Sequence, residues 1–412
     1  MKNDPTYEQA RDLMLSAIRP VGAETVELSQ SSGRILAERL AALTDSPSFD
    51  NSPYDGYAFR AADSSTALPQ SPVTLKIIEE IPAGSHSLQK VIPGTAAKIL
   101  TGAPIPEGAD TVTKYEITRF DHESVSIFQP ALPGDNIIKA GEDVKRGTVL
   151  GFMGQTIDAA LAGSLAAQGL DKIQVFRKPR VGIISTGNEL AEPGQKAEGP
   201  LIYNSNRYML EAVCLAAGAV PVYLGAARDQ VEEIAALLSR GFADCDMLLS
   251  TGGVSVGDYD LTPAALEAAG AEVLVQGVRL KPGGACAYAQ KNDKPAFCLS
   301  GRPASALVNF YAVALPTLRK LCGHSEPKLR QVKVELISGF PKSSPVTRII
   351  RGQLDLSEGR VRMHVPQQQG NCVLHSLIGS EIMGIIPADS PPLKAGSIID
   401  GYLLPLSPAS PQ

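Results

Sequence analysis

Residues 247–260 read MLLSTGGVSVGDYD, in which a short apolar run leads into a glycine-rich loop with two aspartates. The apolar residues Met247–Leu249 predict a buried strand. The glycines that follow let backbone N–H groups close on a bound anion, because they carry no Cβ. Asp258 and Asp260 could then hold a hard cation such as Mg²⁺ against a phosphate. The segment predicts a phosphate-and-metal site at a strand end, although a glycine-rich turn with two solvated carboxylates explains this segment alone equally well.

The surrounding residues, 179–322, alternate between strand and helix patterns. The predicted strands are Arg180–Ser185, Val220–Leu224, Met247–Ser250, Val273–Gln276 and Ala296–Leu299. The predicted helices cover residues 205–217, 229–241 and 304–321, and a further helix begins at Thr262-Pro263, in the favoured order of cap and then proline. This alternation predicts a mostly parallel sheet with helices on both faces.

The helix over residues 229–241 has its own boundary signals. Asp229 occupies the position of an N-cap, Glu232 would complete a capping box, and Gly241 would end the helix. As a helix cap, Asp229 needs no functional explanation.

Four polar loops with glycine follow predicted strands of this region. They read TGNE (186–189), TGGVSVGDYD (251–260), KPGG (281–284) and SGRP (300–303). Ligands bind at the carboxyl ends of the strands in open α/β sheets, so the four loops together predict a ligand site at that edge. Lys281 in the third loop could neutralise a phosphate as a point charge. A surface lysine accounts for Lys281 equally well.

The complete chain predicts a multidomain α/β plus β protein. Residues 1–49 and 139–178 read as one elongated domain of helices and strands, which is interrupted by a β-rich inserted domain over residues 50–138. Residues 179–327 form the α/β domain. Residues 328–412 lack helical periodicity, and their strand patterns predict a small β-barrel.

The composition excludes several classes of protein. The 412 residues are 44% hydrophobic and 20% charged, which is typical of globular domains, and a net charge of −5 gives no reason to expect nucleic acid or a membrane as partner. The N-terminus reads as a capped helix rather than a signal peptide, and six scattered cysteines without a CxxC pair favour a reducing, cytoplasmic location. No P-loop, HExxH or Ser/His/Asp order is present.

Three more segments combine acids, glycine and turn residues outside the α/β region. They are FDNSPYDGYA (49–58) with Asp55, LTGAPIPEG (100–108) with Thr101, and GED (141–143) with Asp143. Thr101 could offer a hydroxyl and a backbone N–H to an anion. Each segment is also explained by an ordered or solvated turn, so none predicts a site by itself.

Together these segments resemble the MoeA family, the molybdopterin molybdenumtransferases, whose fold is shared with the E domain of gephyrin. The resemblance rests on seven motifs in the order of the family: FDNSPYDGYA, KILTGAPIPEGAD, the GEDV near residue 141, ISTGNEL, YNSNR (203–207), STGGVSVGDYD and LKPG. It implies an elongated four-domain subunit with a sheet domain related to molybdopterin-binding folds. It also implies a homodimer whose active cleft is shared between the two subunits.

The resemblance implies that adenylylated molybdopterin and molybdate are converted to molybdenum cofactor and AMP. Mg²⁺ would bridge the phosphates, with Glu189 and Asp260 as its ligands. The nucleotide and pterin would be cradled by Thr186, Gly187, Gly252, Gly253 and Ser255. Asp229 and Lys281 would complete the sheet side of the cleft, and Asp55, Thr101 and Asp143 would reach it across the dimer interface. The molybdopterin adenylyltransferase and apo-molybdoenzymes are the implied further partners.

The sequence departs from the family pattern on the side expected to receive molybdate. Ile138 replaces a usual arginine, with only Lys139 nearby to compensate; Ser300 and Arg302 stand in the altered SGRP loop; and Asn371 replaces a serine. The lysine of the usual KPGK is replaced by Gly284. Because Arg302 is a gained cation, the oxyanion site would be rearranged rather than lost. The leading interpretation is an active molybdenum insertase, and the alternative is a catalytically weak paralogue that binds the pterin nucleotide as a carrier or scaffold.

Overall fold

The computed structural model describes residues 4–254 and 261–405, which form two compact units. The first unit contains the described residues up to Glu38, Met153–Ile157 and those from Lys172 onward, and the second contains Arg39–Phe152 and Asp158–Asp171. Up to residue 176 the helices and strands are α1 (Tyr7–Ser16), β1 (Ala23–Glu27), β2 (Leu40–Ala41), β3 (Gly56–Phe59), β4 (Val73–Ile81), β5 (Thr95–Ile99), β6 (Thr111–Lys114), β7 (Thr118–Phe120), β8 (Ser124–Ile127), β9 (Val149–Gly151), α2 (Ala159–Ala167) and β10 (Lys172–Phe176).

The remaining elements belong to the first unit. They are β11 (Arg180–Thr186), β12 (Leu190–Ala191), β13 (Ile202–Tyr203), α3 (Ser205–Ala216), β14 (Val220–Ala227), α4 (Val231–Asp244), β15 (Met247–Thr251), α5 (Thr262–Ala268), β16 (Glu272–Gln276), β17 (Leu280–Lys281), β18 (Cys286–Lys291), β19 (Lys294–Leu299), α6 (Pro303–Asn309), α7 (Leu315–Leu321), β20 (Gln331–Leu336), β21 (Thr347–Asp355), β22 (Arg362–His364), β23 (Ile382–Ile386) and β24 (Ile398–Leu403). A short π-helix, Phe310–Ala314, joins α6 to α7.

The predicted α/β sheet is confirmed, with strand order β14-β11-β15-β19-β18-β16. The first four strands are parallel, whereas β18 runs antiparallel to both of its neighbours. Along β11 successive side chains enter opposite faces: Val181 and Ile183 pack in the apolar cluster under α1, α3 and α6, and Ile184 packs in the cluster under α4 and α5. Helices therefore cover both faces, as the alternation of patterns predicts.

Strand β18 is absent from the sequence prediction. It forms a two-residue hairpin with β19, in which Lys291 pairs with Lys294 across Asn292 and Asp293. Both turn residues have positive φ, 50° and 62°, which is the geometry of a hairpin turn that follows the twist of its strands. The Asn-Asp pair was the sequence signal for this hairpin.

The predicted boundaries of the helix after Asp229 are wrong at both ends. The helix α4 begins at Val231 with Gln230 as N-cap, and that cap makes no side-chain hydrogen bond. Glu232 forms no capping box; instead the carboxylate of Glu233 accepts the N–H of Arg228 at 2.9 Å. The structural explanation for Asp229 as a helix cap is thereby removed.

Gly241 lies inside α4 rather than at its end. An added Cβ at Gly241 would lie 2.5 Å from Cδ2 of Leu248, and one at Gly182 on β11 would lie 2.6 Å from the same atom. Because neither residue has a Cβ, the helix packs close to the sheet around the buried side chain of Leu248. Gly241 is therefore a packing glycine.

The predicted C-terminal barrel is confirmed. Strands β20, β22, β21, β23 and β24 pair in a closed ring. The two-residue strand β17 pairs with β21, with Lys281 opposite Arg348. The prediction that the KPGG loop follows a strand of the α/β sheet is therefore wrong, because the strand before it belongs to the sheet of the barrel.

The second unit contains its own six-stranded sheet, in the order β6-β3-β5-β4-β8-β7. Alternating residues of β3 enter two apolar clusters: Tyr57 and Phe59 pack in one, and Ala58 packs in the other. The strand before LTGAPIPEG is β5, and β3 begins at Gly56, inside FDNSPYDGYA. Among the described residues of the whole chain, no helix has both the length and the apolar character needed to cross a bilayer.

Candidate functional site

A small pocket lies at the carboxyl edge of the α/β sheet, where β11, β15 and β19 end. Three of the four predicted loops reach this edge. The pocket is lined by Thr186, Glu189, Leu190, Ile202, Tyr203, Asn204, Ser205, Asn206, Thr251, Gly301 and Pro303. Each loop follows its strand because the strand interior is apolar and buried, so the chain turns polar only at the sheet edge.

The loops after β11 and β15 approach each other so closely that Gly252 is required, and the loop after β19 lies in ordinary contact with Gly252. Gly252 has a φ of 99°, and a Cβ there would lie 2.4 Å from the carbonyl oxygen of Thr186. Gly253 has a φ of 67°, and its Cβ would lie 2.9 Å from the hydroxyl of Thr262. At Gly301 the corresponding position is 3.5 Å from Cα of Gly252. The result is a backbone-lined edge, which is the kind of surface that can approach a phosphate or a flat heterocycle.

The buried hydroxyl of Thr186 already has a structural partner. It donates to the carbonyl of Thr251 at 3.2 Å and so joins the ends of β11 and β15. The next residue, Gly187, donates its N–H to the carbonyl of Ala227 at 3.2 Å and joins β11 to the end of β14. These two bonds, one from a side chain and one from the backbone, tie the ends of β14, β11 and β15 together.

Glu189 presents the exposed carboxylate of the pocket. A Cβ at Gly187, where φ is 143°, would lie 2.4 Å from one carboxylate oxygen of Glu189 and 2.8 Å from the other. The absence of that Cβ lets the carboxylate lie over the end of β11. Within residues 4–254 and 261–405 this carboxylate has no ion-pair partner, and a free carboxylate is the donor that Mg²⁺ takes together with water and phosphate oxygens. The predicted companions Ser255 and Asp260 lie outside the described residues.

Asp229 lies in the loop directly beside the TGNE loop. Its N–H donates to the side-chain oxygen of Asn188 at 3.3 Å. Since Asp229 does not cap α4, its carboxylate is left for another role. The structure thus brings a second acidic residue to the loop that carries Glu189.

Lys281 and Arg302 lie in loops that contact α6, the helix that follows the third loop of this edge. The side chain of Lys281 is exposed, and the loop behind it is held by Asn309 of α6, whose amide donates to the carbonyl of Gly283 at 2.7 Å. Arg302 is the N-cap residue of α6 and is also exposed. The N–H of Ala304, in the first turn of that helix, donates to the carbonyl of Asn371 at 3.1 Å. Arg302 and the altered loop with Asn371 therefore meet at the N-terminus of α6, whereas the loop of Lys281 is held at the C-terminal end of that helix.

Arg351 is a candidate that the sequence reasoning missed. Its guanidinium is fully buried, and it donates to the hydroxyl of Ser376 at 2.8 Å and to the carbonyl of Gly370 at 3.3 Å. The Nε and Nη1 atoms have no hydrogen-bond partner among the described residues. Burial lowers the pKa of Arg351 to about 10, so the group is still a cation at neutral pH. The only sequence signal was an arginine at an inward position of the strand TRIIRGQLD.

In the second unit, the structure brings together two motifs that are far apart in sequence. One carboxylate oxygen of Asp55 accepts the N–H of Thr101 at 2.7 Å and its hydroxyl at 2.8 Å. These two bonds, the backbone bond first, lower the pKa of Asp55. The next residue, Gly56, lets β3 approach β6, because a Cβ there would lie 2.2 Å from the carbonyl oxygen of Thr113. Asp55 is an exposed and firmly ionised carboxylate.

The third motif of this unit lies beside the first. Asn51 exchanges backbone hydrogen bonds with Ile138, and the ammonium of Lys139 donates to Asp50 at 2.8 Å. Lys139 is therefore paired with an acid of the FDNSPYDGYA motif. Asp143 is exposed and accepts a long hydrogen bond of 3.5 Å from the hydroxyl of Ser46. The structure does not join Asp143 to Asp55 by a direct contact.

Comparison with known proteins accounts for both units. A family described as "MoeA N-terminal region (domain I and II)" matches residues 5–169, and one described as "Probable molybdopterin binding domain" matches residues 182–320. The fold and the pocket thus define a protein of the class that carries a molybdopterin-binding type of sheet domain. Over the whole chain, a solved molybdopterin biosynthesis moeA protein from Pyrococcus horikoshii OT3 is 31% identical, with a TM-score of 0.84 over 98% of this chain and 100% of that one.

Two curated relatives make the assignment specific. The molybdopterin molybdenumtransferase of Bacillus subtilis is 36% identical over 92% of this chain and 90% of its own length. Molybdopterin molybdenumtransferase 2 of Mycobacterium tuberculosis (strain ATCC 25618 / H37Rv) is 36% identical over 96% of this chain and 98% of its own length. The chain belongs to the molybdopterin molybdenumtransferase family, a family of transferases in molybdenum cofactor biosynthesis.

Proposed function

We propose that this protein is an active molybdenum insertase, which transfers molybdate to adenylylated molybdopterin and releases AMP in a Mg²⁺-dependent reaction. The observation that carries the proposal is the position of Glu189. Its carboxylate, which has no ion-pair partner in the described part of the chain, lies over Gly187 at the edge where three loops converge. Beside a polyanionic substrate, a free carboxylate would be repulsive unless a cation lay between them. Glu189 would hold Mg²⁺, and the cation would supply the positive charge that lets the carboxylate and the phosphates lie close together.

The protein's own residues divide the remaining work. Glu189, together with Asp260, would hold the cation, and the cation would supply neutralisation of charge that develops at the pyrophosphate bond. Gly252 and Gly253 would let the nucleotide and pterin approach the backbone. Lys281 would donate to the phosphates. Asp229, next to the Glu189 loop, would orient a water molecule by accepting its hydrogen bond.

The cationic side of the pocket would receive molybdate, an oxyanion. Arg302 is exposed at the start of α6, and Nε and Nη1 of the buried Arg351 have no hydrogen-bond partner within residues 4–254 and 261–405. Arg351 donates to the carbonyl of Gly370, and the next residue, Asn371, accepts the N–H of Ala304 in α6. Arginine suits an oxyanion because its planar donors match two oxygens at once. The departures from the family pattern thus leave positive charge on this side, which favours turnover over a carrier or scaffold.

Asp55, Thr101 and Asp143 would complete the cleft from the partner subunit of a homodimer. Their motifs are in the unit of residues 39–152 and 158–171, whereas Glu189 and Arg302 are in the other unit. The ionised carboxylate of Asp55 would accept a proton or hydrogen bond from substrate there. The molybdopterin adenylyltransferase would supply the substrate, apo-molybdoenzymes would receive the product, and all of these reactions would take place in the cytoplasm.

The test is turnover with defined substrates. Purified protein given adenylylated molybdopterin, Mg²⁺ and molybdate should release AMP and form metallated cofactor, and AMP release should depend on molybdate. Glu189→Gln and Asp260→Ala should each abolish Mg²⁺-dependent turnover with the fold retained, because each removes an anionic oxygen from the cation site. Tight substrate binding without molybdate-dependent AMP release would contradict the proposal and favour the carrier.

A further inference from the structure

The YNSNR segment (203–207) carries two asparagines at the N-terminus of α3, and each holds a different wall of the pocket. Both side chains are buried, with 2% of Asn204 and 8% of Asn206 exposed. They face different partners. Asn204 contacts the sheet and the segment of residues 187–204 that carries Glu189, and Asn206 contacts the loop that carries Arg302.

Asn204 is the centre of a polar network. Its side-chain oxygen accepts the N–H of Arg207, which caps α3, and its NH₂ group donates to Ser185 at 3.0 Å and to Glu192 at 2.9 Å. The carboxylate of Glu192 also accepts from Tyr223 at 3.2 Å and from Arg207 at 3.0 Å. The charge of Glu192 is thus matched, and hydrogen bonds to Asn204 and Tyr223 lower its pKa against the effect of burial.

This network holds the backbone of the segment 187–204 in place. Ser185 comes directly before Thr186 at the end of β11. The bond from Asn204 to Ser185 therefore joins the end of the segment 187–204 to the strand from which that segment begins. The N–H of Asn204 donates to Ala191 at 2.9 Å, and the N–H of Ile202 donates to the carbonyl of Glu189 at 2.8 Å. The residue that bears the proposed cation ligand is therefore held by backbone bonds that lie directly beside the side-chain network of Asn204.

Asn206 acts on the opposite wall. Its NH₂ group donates to the carbonyl of Gly301 at 2.8 Å, one residue before Arg302. Gly301 in turn lies against Gly252. A hydrogen bond from a buried amide fixes this carbonyl, and with it the start of α6, relative to α3.

We propose that Asn204 and Asn206 are separate positioning residues, Asn204 for the cation side of the pocket at Glu189 and Asn206 for the oxyanion side at Arg302. One helix start then sets the distance between the two walls. Catalytic groups must be held within a fraction of an ångström to act together, and buried hydrogen bonds of this kind hold them. The assignment of Mg²⁺ and molybdate to the two walls rests on the proposed function.

The test compares Asn204→Ser with Asn206→Ser. Serine at position 204 still caps α3 but is too short to reach Glu192, so the helix is kept while the network is lost. Amide hydrogen exchange of the full-length protein should become at least about five-fold faster in residues 189–204 for Asn204→Ser and in residues 300–306 for Asn206→Ser, each with the other segment unchanged. A second variant on each side checks the result. Tyr223→Phe should speed exchange in residues 189–204, and Asn206→Asp should speed exchange in residues 300–306.

Kinetics give the matching readout. Asn204→Ser should raise the Mg²⁺ concentration for half-maximal AMP release at least about five-fold and leave the molybdate dependence unchanged. Asn206→Ser should raise the molybdate concentration for half-maximal AMP release at least about five-fold and leave the Mg²⁺ dependence unchanged. Exchange that rises equally in both segments, or in neither, would overturn the proposal, as would equal changes in both concentration dependences. If the wild-type protein releases no AMP, the proposed function fails, and the exchange result alone decides whether the two asparagines act separately.

Discussion

At the scale of single residues, the acids of the candidate site differ in whether the fold already uses them. Asp55 accepts two hydrogen bonds from Thr101, whereas the carboxylate of Glu189 has no ion-pair partner among the described residues. A carboxylate stabilised by donors keeps its charge, while a free carboxylate is open to a cation. The two residues are therefore suited to different work, Asp55 to accepting a hydrogen bond and Glu189 to holding a cation.

The pKa of Asp55 can be tested through its partner. Thr101→Val removes the hydroxyl donor but keeps the backbone N–H, so the pKa of Asp55 should rise from its lowered value and stay below the ordinary range. In the wild type any stabilisation from this carboxylate is present above its unfolded pKa and is lost as pH falls through its lower folded pKa. Carbon NMR titration of the carboxyl signals, with Asp55→Asn to assign the signal, measures the change; an unaltered titration would show that the hydroxyl bond contributes nothing.

At the scale of elements, α4 shows how packing overrides a local signal. Gly241 looks like a helix end in sequence, but α4 continues to Asp244 because the glycine is needed where the helix crosses β11 and β15. In the same way, Asp229 has the residue type of a cap without acting as one. The boundaries of a helix depend on how it packs on the sheet. The residue types at its ends predict those boundaries only to within about two residues.

Substitution of Gly241 tests this packing. Gly241→Ala places a methyl group within 2.5 Å of Leu248 and 2.7 Å of Leu224, so we expect a loss of about 1–3 kcal/mol in the free energy of unfolding. The matched control is Gly163→Ala in α2, where a Cβ meets nothing within 4 Å, and this variant should gain up to about 1 kcal/mol. Chemical denaturation of both variants measures the difference, and a stabilised Gly241→Ala would contradict the packing argument.

At the scale of the whole molecule, the candidate residues are divided between two compact units. Asp55, Thr101 and Asp143 lie in the unit with the inserted sheet, and Glu189 and Arg302 lie in the unit with the α/β sheet. A homodimer with a shared cleft would need one unit from each subunit at every site. Symmetric pairing of this kind makes complementation between two inactive variants possible.

Mixed dimers test the shared cleft. Asp55→Asn and Glu189→Gln should each be inactive alone. After unfolding and refolding of an equal mixture, half of the dimers combine both variants and one of their two sites is intact, so about a quarter of wild-type AMP release should return. Cofactor formation in the mixture and in each refolded variant alone measures this return. A mixture as inactive as its components would place the complete site within one subunit.

The sequence by itself determined the family, most strands and helices of the α/β region except β18, and the glycine-rich loops of the site, because apolar periodicity, turn residues and motif order are local properties of a chain. It also indicated Glu189, but only through motifs. The tertiary structure alone decided which side chains remain free: Asp229 is released from capping, the Thr186 hydroxyl is used between strands, and β17 places Lys281 on the sheet of the barrel. It also showed the buried Arg351. These outcomes depend on contacts between residues far apart in the chain, and no local pattern records how such contacts use up hydrogen bonds and space.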